Sequence, residues 1–158
     1  NKDYEQQRTK LDEVAKELAT GDIRRGQAVF NSTKASCIAC HTIGYVGGKQ
    51  GPDLTKIGGI RTERDLLEAI LFPSASFVRS YEPVIVTTKD QKTFSGVAKK
   101  DAPDEMILVI AADKEVRIPR EEIEDVRPGK VSIMPDGLDK QFTKQELADL
   151  VAFLRACK

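Results

Sequence analysis

Residues 37–41 read Cys37-Ile38-Ala39-Cys40-His41. Two cysteines separated by two residues can present both thiols from one helical turn to one edge of a flat ring, and the adjacent histidine can then turn beneath that ring. This is the pattern for covalent attachment of haem, in which the thiols add to the two vinyl groups and the histidine binds the iron. The motif predicts one covalent haem, attached to Cys37 and Cys40, with His41 as an iron ligand.

Three other interpretations of this motif are weaker. A zinc site needs four ligands, whereas the chain has one histidine and only one further cysteine, Cys157, near its far end. A thioredoxin-like dithiol should lie between a strand and a helix of a βαβ unit, and the segment before Cys37 has a helical pattern. The third alternative is a structural disulfide beside an accidental histidine. We favour haem attachment over all three.

The second axial ligand cannot be a histidine of this chain, because His41 is the only one. A methionine thioether suits iron and raises the redox potential, and the chain has two methionines. Met106 lies within an apolar segment, where methionine usually fills a core. Met134 lies in a loop before Pro135. We therefore favour Met134 as the ligand, with Met106, or no protein ligand, as alternatives.

The composition of the 158 residues is that of a soluble globular protein. Lys plus Arg and Asp plus Glu number 25 each, which gives no reason to expect nucleic acid or an anionic membrane as partner. The longest apolar run, Met106–Ala112, is too short to span a bilayer. No signal peptide is visible, so we interpret the chain as a mature protein or a piece of a longer one. Covalent haem attachment predicts a periplasmic or other extracytoplasmic location.

The first twenty residues form a separate charged segment. Leu11, Val14 and Leu18 have helical spacing, so residues 1–20 predict an amphipathic helix. Tyr4 and Gln7 extend the stripe into a short heptad pattern. A linker or packing helix is favoured over a dimerising coil. Residues 21–158 are predicted to form the main domain.

Capping signals predict three helices in that domain besides the turn at the cysteines. Asp22 can cap a helix from Ile23 to about Asn31. A second helix begins at Thr62 and is stopped by Pro73. A third follows Thr143, which forms a capping box with the glutamate three residues later.

A β-rich stretch at about 81–127 separates the second and third of these helices. Its β-branched and apolar runs are divided by polar turns, which predicts an antiparallel meander of three or four strands. The runs are Tyr81–Thr88, Thr93–Ala98, Met106–Ala111 and Val116–Ile118. We expect the Met106–Ala111 strand to be the most buried.

The order of these elements resembles the class I cytochrome c family. Gly26 and Phe30 match the small and aromatic positions of its N-terminal helix, and Asp149–Leu154 matches its C-terminal helix. The resemblance implies that Gly26 and Phe30 pack against Leu150 and Phe153. It also implies a mainly α fold, in which the stretch at about 81–127 is a small antiparallel sheet inserted before the axial methionine loop.

Two loops also carry the resemblance. Gly51-Pro52-Asp53-Leu54 resembles the loop whose proline carbonyl accepts a hydrogen bond from the proximal histidine, which would orient His41. Met134-Pro135 resembles the axial methionine motif. The resemblance therefore implies that the haem is held by Cys37, Cys40, His41, Pro52 and Met134, with His41 and Met134 on the iron.

The inserted sheet makes the span from His41 to Met134 longer than in simpler members of the family. In this it resembles a haem-binding domain family of planctomycete and verrucomicrobial bacteria. The likeness is carried by Arg61-Thr62, Leu66-Leu67, Ile70-Leu71, Pro73-Ser74, Tyr81 and the run from Ser132 to Leu138. In that family the domain often ends a long secreted protein with propeller or dehydrogenase-like domains, which implies a fused dehydrogenase domain or a separate redox partner.

The function predicted from these features is one-electron transfer, without enzymatic activity of its own. The alternative is a haem sensor or small-ligand binder whose sixth ligand can be displaced. A haem enzyme such as a peroxidase is less favoured, because distal acid–base catalysis usually uses a second histidine, and the chain has none.

Several residues have weaker predictions. Tyr45, Arg61 and Arg79 are candidates for binding the haem propionates by position and type alone. Cys157 is interpreted as an unpaired residue near the terminus, or else as a disulfide link between two chains. A homodimer could form through the inserted sheet, the N-terminal helix or Cys157.

Overall fold

Five α-helices lie towards the two ends of the chain in the computed structural model, which describes residues 2–158. They are α1 (Lys2–Glu17), α2 (Ile23–Asn31), α3 (Cys37–Cys40), α4 (Glu63–Leu71) and α5 (Lys144–Ala156). The helices predicted after Asp22, Thr62 and Thr143 are confirmed. The N-terminal helix predicted over 1–20 ends earlier, at Glu17, and Asn1 lies outside the described residues.

The predicted caps set where these helices begin. The Asp22 side chain accepts from the backbone N–H of Arg25 at 2.9 Å. Thr62 and Asp65 form a reciprocal capping box at the start of α4. Thr143 and Glu146 form the same motif at the start of α5. Each cap satisfies amide groups that the first helical turn leaves free.

Helices α2 and α5 cross at Gly26. A Cβ atom at Gly26 would overlap the carbonyl oxygen of Asp149 and would lie 2.6 Å from the Cβ of Phe153. The rings of Phe30 and Phe153 are 5.7 Å apart between centroids, and Leu150 is buried in the same cluster. The predicted packing of Gly26 and Phe30 against the C-terminal helix is confirmed.

A buried carboxylate ties the same crossing together. Asp149 is 2% exposed, and it accepts from Nε of Arg25 at 2.9 Å, from the N–H of Asp22 at 2.8 Å and from Nε2 of Gln145 at 2.9 Å. The hydrogen bond from Arg25, supported by the other donors, holds the pKa of Asp149 below its ordinary value. The buried charge is therefore both paired and hydrogen-bonded.

Asp149→Asn is expected to lower the free energy of unfolding at pH 7 by about 1–3 kcal/mol, because the donors lose a charged acceptor. A carboxyl whose folded pKa is depressed stabilises above its unfolded pKa of about 3.9, and this contribution is lost as the pH falls through the folded pKa. The difference between wild type and variant should therefore shrink below about pH 4. Denaturant unfolding at a series of pH values measures it. Asp113→Asn, in an exposed turn, is the control, and a difference independent of pH would contradict the prediction.

Helix α1 packs on the rest of the helical body. Leu11 is buried in the helical core, and Val14, Ala15 and Leu18 pack against that core. Asp12 pairs with Arg64 of α4 at 2.6 Å. The apolar stripe predicted from the sequence therefore packs against the helical core of the same chain. None of the helices described over residues 2–158 is long and apolar enough to cross a membrane.

The stretch between α4 and α5 folds as an antiparallel sheet. A separate short hairpin, β1 (Thr42–Ile43) and β2 (Val46–Gly47), lies between α3 and α4, and the strands of the sheet are β3 (Val84–Thr88), β4 (Thr93–Asp101), β5 (Glu105–Ala111), β6 (Lys114–Pro119) and β7 (Ile123–Pro128). They lie in the order β6-β5-β4-β3-β7. Because β7 pairs with β3, the last strand of this sheet in the chain lies beside its first strand.

The predicted antiparallel sheet is confirmed, but its predicted small size is wrong. Five strands belong to it within residues 2–158, and the protein is 41% helix and 24% strand rather than mainly α with a small insert. The strand missing from the prediction is Ile123–Pro128. It is an exposed, charged edge strand, so its position depends on backbone pairing with β3 and not on an apolar pattern.

The sheet has a hydrophobic cluster separate from the helical core. Its buried members are Val86, Met106, Leu108 and Ile118. The prediction that the Met106–Ala111 strand is the most buried is confirmed, since β5 is buried over its central residues. Met106 is 2% exposed and fills the interior of the sheet.

Two hydrogen bonds connect the segments that enter and leave the sheet. The N–H of Gly129 donates to the carbonyl of Pro83 at 2.9 Å. The N–H of Ser132 donates to Oγ of Ser74 at 2.9 Å. The loop that contains Met134 therefore leaves the sheet beside the segment that follows α4.

Candidate haem site

Helix α3 presents the two cysteines together. Its single turn begins after Ser36, whose backbone is left-handed (φ 53°, ψ 30°), and ends where the N–H of His41 donates to the carbonyl of Cys37 at 2.9 Å. Burial raises the pKa of the Cys37 thiol to about 11 and also raises the pKa of Cys40. Neither thiol resembles the low-pKa cysteine of a dithiol oxidoreductase.

The zinc alternative finds no support in the side-chain arrangement. Within residues 2–158, no cluster of three or more His, Cys, Asp or Glu side chains is placed to hold a metal ion. Cys157, the remaining cysteine, is buried at the end of α5, where its thiol donates to the carbonyl of Phe153 at 3.3 Å. A disulfide from Cys157 to another chain would require this helix end to open, which disfavours that prediction.

His41 is held in one orientation by the loop predicted to face it. Its Nδ1 lies 2.7 Å from the carbonyl oxygen of Pro52, so Nδ1 carries the proton that is donated and Nε2 is left with a free lone pair. Burial lowers the pKa of His41, which favours the neutral imidazole needed by a metal ligand. A Cβ at Gly51 would lie 2.6 Å from Cε1 of the ring, so glycine at 51 lets the loop approach this closely.

These residues line a cavity of about 480 Å³. Its volume falls in the range of roughly 300–1,000 Å³ typical of ligand and cofactor sites. Cys37, Cys40, His41, Pro52 and Met134 all line it. Most of the remaining lining is apolar and comes from the helical body: Phe30, Leu54, Ile57, Leu66, Ile70, Phe72, Leu138, Leu150 and Leu154.

The lining fits a haem in polarity as well as in size. The apolar side chains suit the flat faces of a macrocycle, and Arg61 is the only Lys or Arg that lines the cavity among the described residues, which suits an anionic propionate. Oε1 of Gln50, which also lines the cavity, is buried without a hydrogen-bond partner in the described part of the chain. A bound group or its water would satisfy that atom.

The two methionines lie in different parts of the molecule. Met134 lines the cavity that contains His41, whereas Met106 belongs to the hydrophobic cluster of the sheet. The loop around Met134 is ordered by its neighbours, because the N–H of Met134 donates to Oγ of Ser132 at 3.1 Å. Of the two candidate ligands from the sequence, Met134 alone has access to the site.

Of the three residues predicted as candidates for binding the haem propionates, one lines the cavity and two do not. Arg61 lines the cavity; Arg79 is not among its lining residues, and Tyr45 is fully exposed on a hairpin. The sequence interpretation missed Tyr81 and Val97 as lining residues. Val97 belongs to β4, so part of the inserted sheet reaches the cavity. Its apolar strand pattern indicated burial but not which surface would cover it.

A comparison with protein families adds an independent observation. Residues 23–79 match the family model described as Cytochrome c. Over these residues the chain is similar to cytochrome c domains. Cytochrome c domains bind haem c covalently and act as electron carriers, and they are typically extracytoplasmic. A search of curated proteins found no match.

The matched part of the chain contains the Cys37–His41 motif, Pro52 and Arg61, and ends before the sheet and Met134. The match supports the haem cofactor, and the roles of the individual residues, before and after position 79, are proposals from the geometry. The likeness to the planctomycete and verrucomicrobial family stays a prediction.

Proposed function

We propose that this cytochrome c transfers single electrons through one haem attached to Cys37 and Cys40, with His41 and Met134 as axial ligands. The observation that carries the proposal is the single cavity lined by both cysteines, by Met134 and by a histidine whose Nδ1 is bonded to Pro52. The bound haem supplies a one-electron iron couple. The chain's own residues determine how that couple is held.

His41 is suited to a permanent ligand position. The hydrogen bond to Pro52 keeps Nε2 free and raises the basicity of the ring, while burial keeps the imidazole neutral. The close approach of Gly51 leaves the ring little room to rotate. A ligand held in this way keeps its position when the charge of the metal changes, which suits electron transfer.

Met134 completes the proposed site with a soft, uncharged ligand. A thioether raises the redox potential of a haem, and the apolar lining acts in the same direction because it disfavours the more highly charged oxidised state. With both axial positions filled by the chain, the site has no vacant position for substrate. This favours an electron carrier over an enzyme.

We propose that electrons arrive from, or leave to, a redox partner protein or a fused dehydrogenase domain outside the cytoplasm. Association of two copies through the inserted sheet stays a proposal. The apolar stripe of α1 and the thiol of Cys157 are both used within the chain, which leaves the sheet as the better candidate surface.

Optical spectra of the purified holoprotein, oxidised and reduced, test the function proposed. We expect the spectrum of a haem with thioether links, a far-red methionine–iron band in the oxidised form, and rapid reversible reduction. Carbon monoxide added to the reduced protein at neutral pH should leave the spectrum unchanged. Ready binding of carbon monoxide would instead favour the sensor function, because it requires an open or easily displaced sixth ligand.

A further inference from the structure

Helix α1 is joined to the part of the chain that follows Met134. Nζ of Lys10 lies 3.2 Å from Oδ2 of Asp139. Asp139 belongs to the 3-10 turn Leu138–Gln141, and the preceding residue, Leu138, is buried and lines the haem cavity. A residue near the N-terminus therefore contacts the chain five positions after the proposed axial ligand.

Asp139 depends on this contact. Its side chain is 12% exposed, and its second oxygen, Oδ1, is buried without a hydrogen-bond partner in the described part of the chain. Lys144 lines the same small cavity as Asp139, but its Nζ bonds Oε2 of Glu17 at 3.1 Å. Removing Lys10 would leave a largely buried carboxylate without its counter-charge, which strongly destabilises its local position.

Lys10 also contacts a residue that itself lines the haem cavity. Its Nζ lies 5.7 Å from the ring centroid of Phe72, within the range of a cation–π interaction. Phe72, which directly follows α4, lines the cavity. Leu138, next to Asp139, also lines it. Lys10 thus joins two segments that line the cavity and that are far apart in the sequence.

The loop around Met134 is consequently held at both sides. On the side towards the sheet, Ser132 donates to Ser74. On the side towards α5, Asp139 is held by Lys10. Between these two points the chain turns at Gly137, whose backbone is left-handed (φ 79°).

We propose that Lys10 is a positioning residue for the axial methionine: by holding Asp139 and Phe72, it keeps the loop of Met134 closed on the haem. This inference rests on the proposed function, in which Met134 binds the iron. Helix α1 then acts on the redox site without contacting it.

The test is displacement of the methionine by imidazole in the oxidised holoprotein, followed at the far-red methionine–iron band. Lys10→Met should bind imidazole roughly two- to tenfold more tightly than wild type, a change of about 0.4–1.4 kcal/mol, because residues in contact are energetically coupled. Lys10→Arg keeps the charge and should restore the wild-type affinity. Asp12→Asn is the matched control: it removes the exposed pair with Arg64, which holds the same helix, and should leave the affinity unchanged.

Asp139→Asn provides a second variant should Lys10→Met fold poorly. It removes the charge that Lys10 holds, with little change of shape, and should shift imidazole affinity in the same direction. If wild type shows the band and neither variant changes imidazole affinity, the inference is overturned while the proposed ligation stands. An equal shift in Asp12→Asn would overturn it as well, since the effect would then come from helix docking in general. A wild type without the band would overturn both proposals.

Discussion

Cys37→Ser combined with Cys40→Ser is expected to abolish covalent haem attachment, because a serine hydroxyl does not form the thioether link. Both thiols lie on one turn of α3 at the cavity that His41 lines, so each is placed to bond one vinyl group. The expected result is complete loss of haem from the denatured chain, measured by intact mass and by haem staining after denaturing electrophoresis. Each single variant should retain one link.

Cys157→Ser is the matched control for this experiment. Cys157 is the third cysteine of the chain, and it is buried against α5 instead of lining the haem cavity. Haem content should equal that of wild type. Haem that stays bound to the denatured double variant would show that the attachment site lies elsewhere.

Met134→Ala is expected to remove the far-red methionine–iron band and to lower the midpoint potential. Methionine ligation raises haem potentials, and axial ligands set them over a range of roughly 0.8 V, so the shift should be a sizeable part of that range. Alanine also opens the cavity, so carbon monoxide should bind the reduced variant. Optical spectra and a potentiometric titration measure these changes.

Met106→Leu controls for the loss of a methionine. Met106 lies in the cluster of the sheet, and exchange of methionine for leucine in a core conserves volume and usually costs less than about 1.5 kcal/mol. The band and the potential should not change. A band that survives Met134→Ala, or disappears in Met106→Leu, would exclude Met134 as the ligand.

Local signals in the sequence were enough to predict where the helices begin and to identify the cysteine and histidine side of the haem site. The capping residues Asp22, Thr62 and Thr143 mark helix starts through hydrogen bonds within a few residues, so no distant contact is needed to predict them. The spacing of Cys37, Cys40 and His41 has the same property, since one turn of helix brings them together. Such features follow from short-range geometry.

The inserted sheet shows where local signals end. Apolar strands such as Met106–Ala111 were predicted because their composition favours burial. Ile123–Pro128 is charged and exposed, and it becomes a strand only because β3 offers it backbone hydrogen bonds. The size of the sheet could therefore not be obtained from residue pattern alone.

The cavity is likewise a product of distant parts of the chain. Met134, Val97 and Phe72 lie in a loop, in the sheet and after a helix, and they meet because these elements pack around one space. The sequence nominated Met134 through its resemblance to an axial methionine motif. The apolar run around Met106 already favoured Met134 as the ligand, and the packing of the whole chain puts Met134, and not Met106, beside the cavity.

The sequence by itself determined the covalent haem motif and the helix starts, because each depends on residues within one or two turns of one another. It also indicated an antiparallel sheet, because apolar runs alternate with polar turns. The tertiary structure decided the pairing of β7 with β3, the meeting of Met134 and Val97 at one cavity and the ion pair between Lys10 and Asp139. These contacts join residues that are distant along the chain. Their formation depends on how buried surfaces fit together, which a linear pattern does not specify.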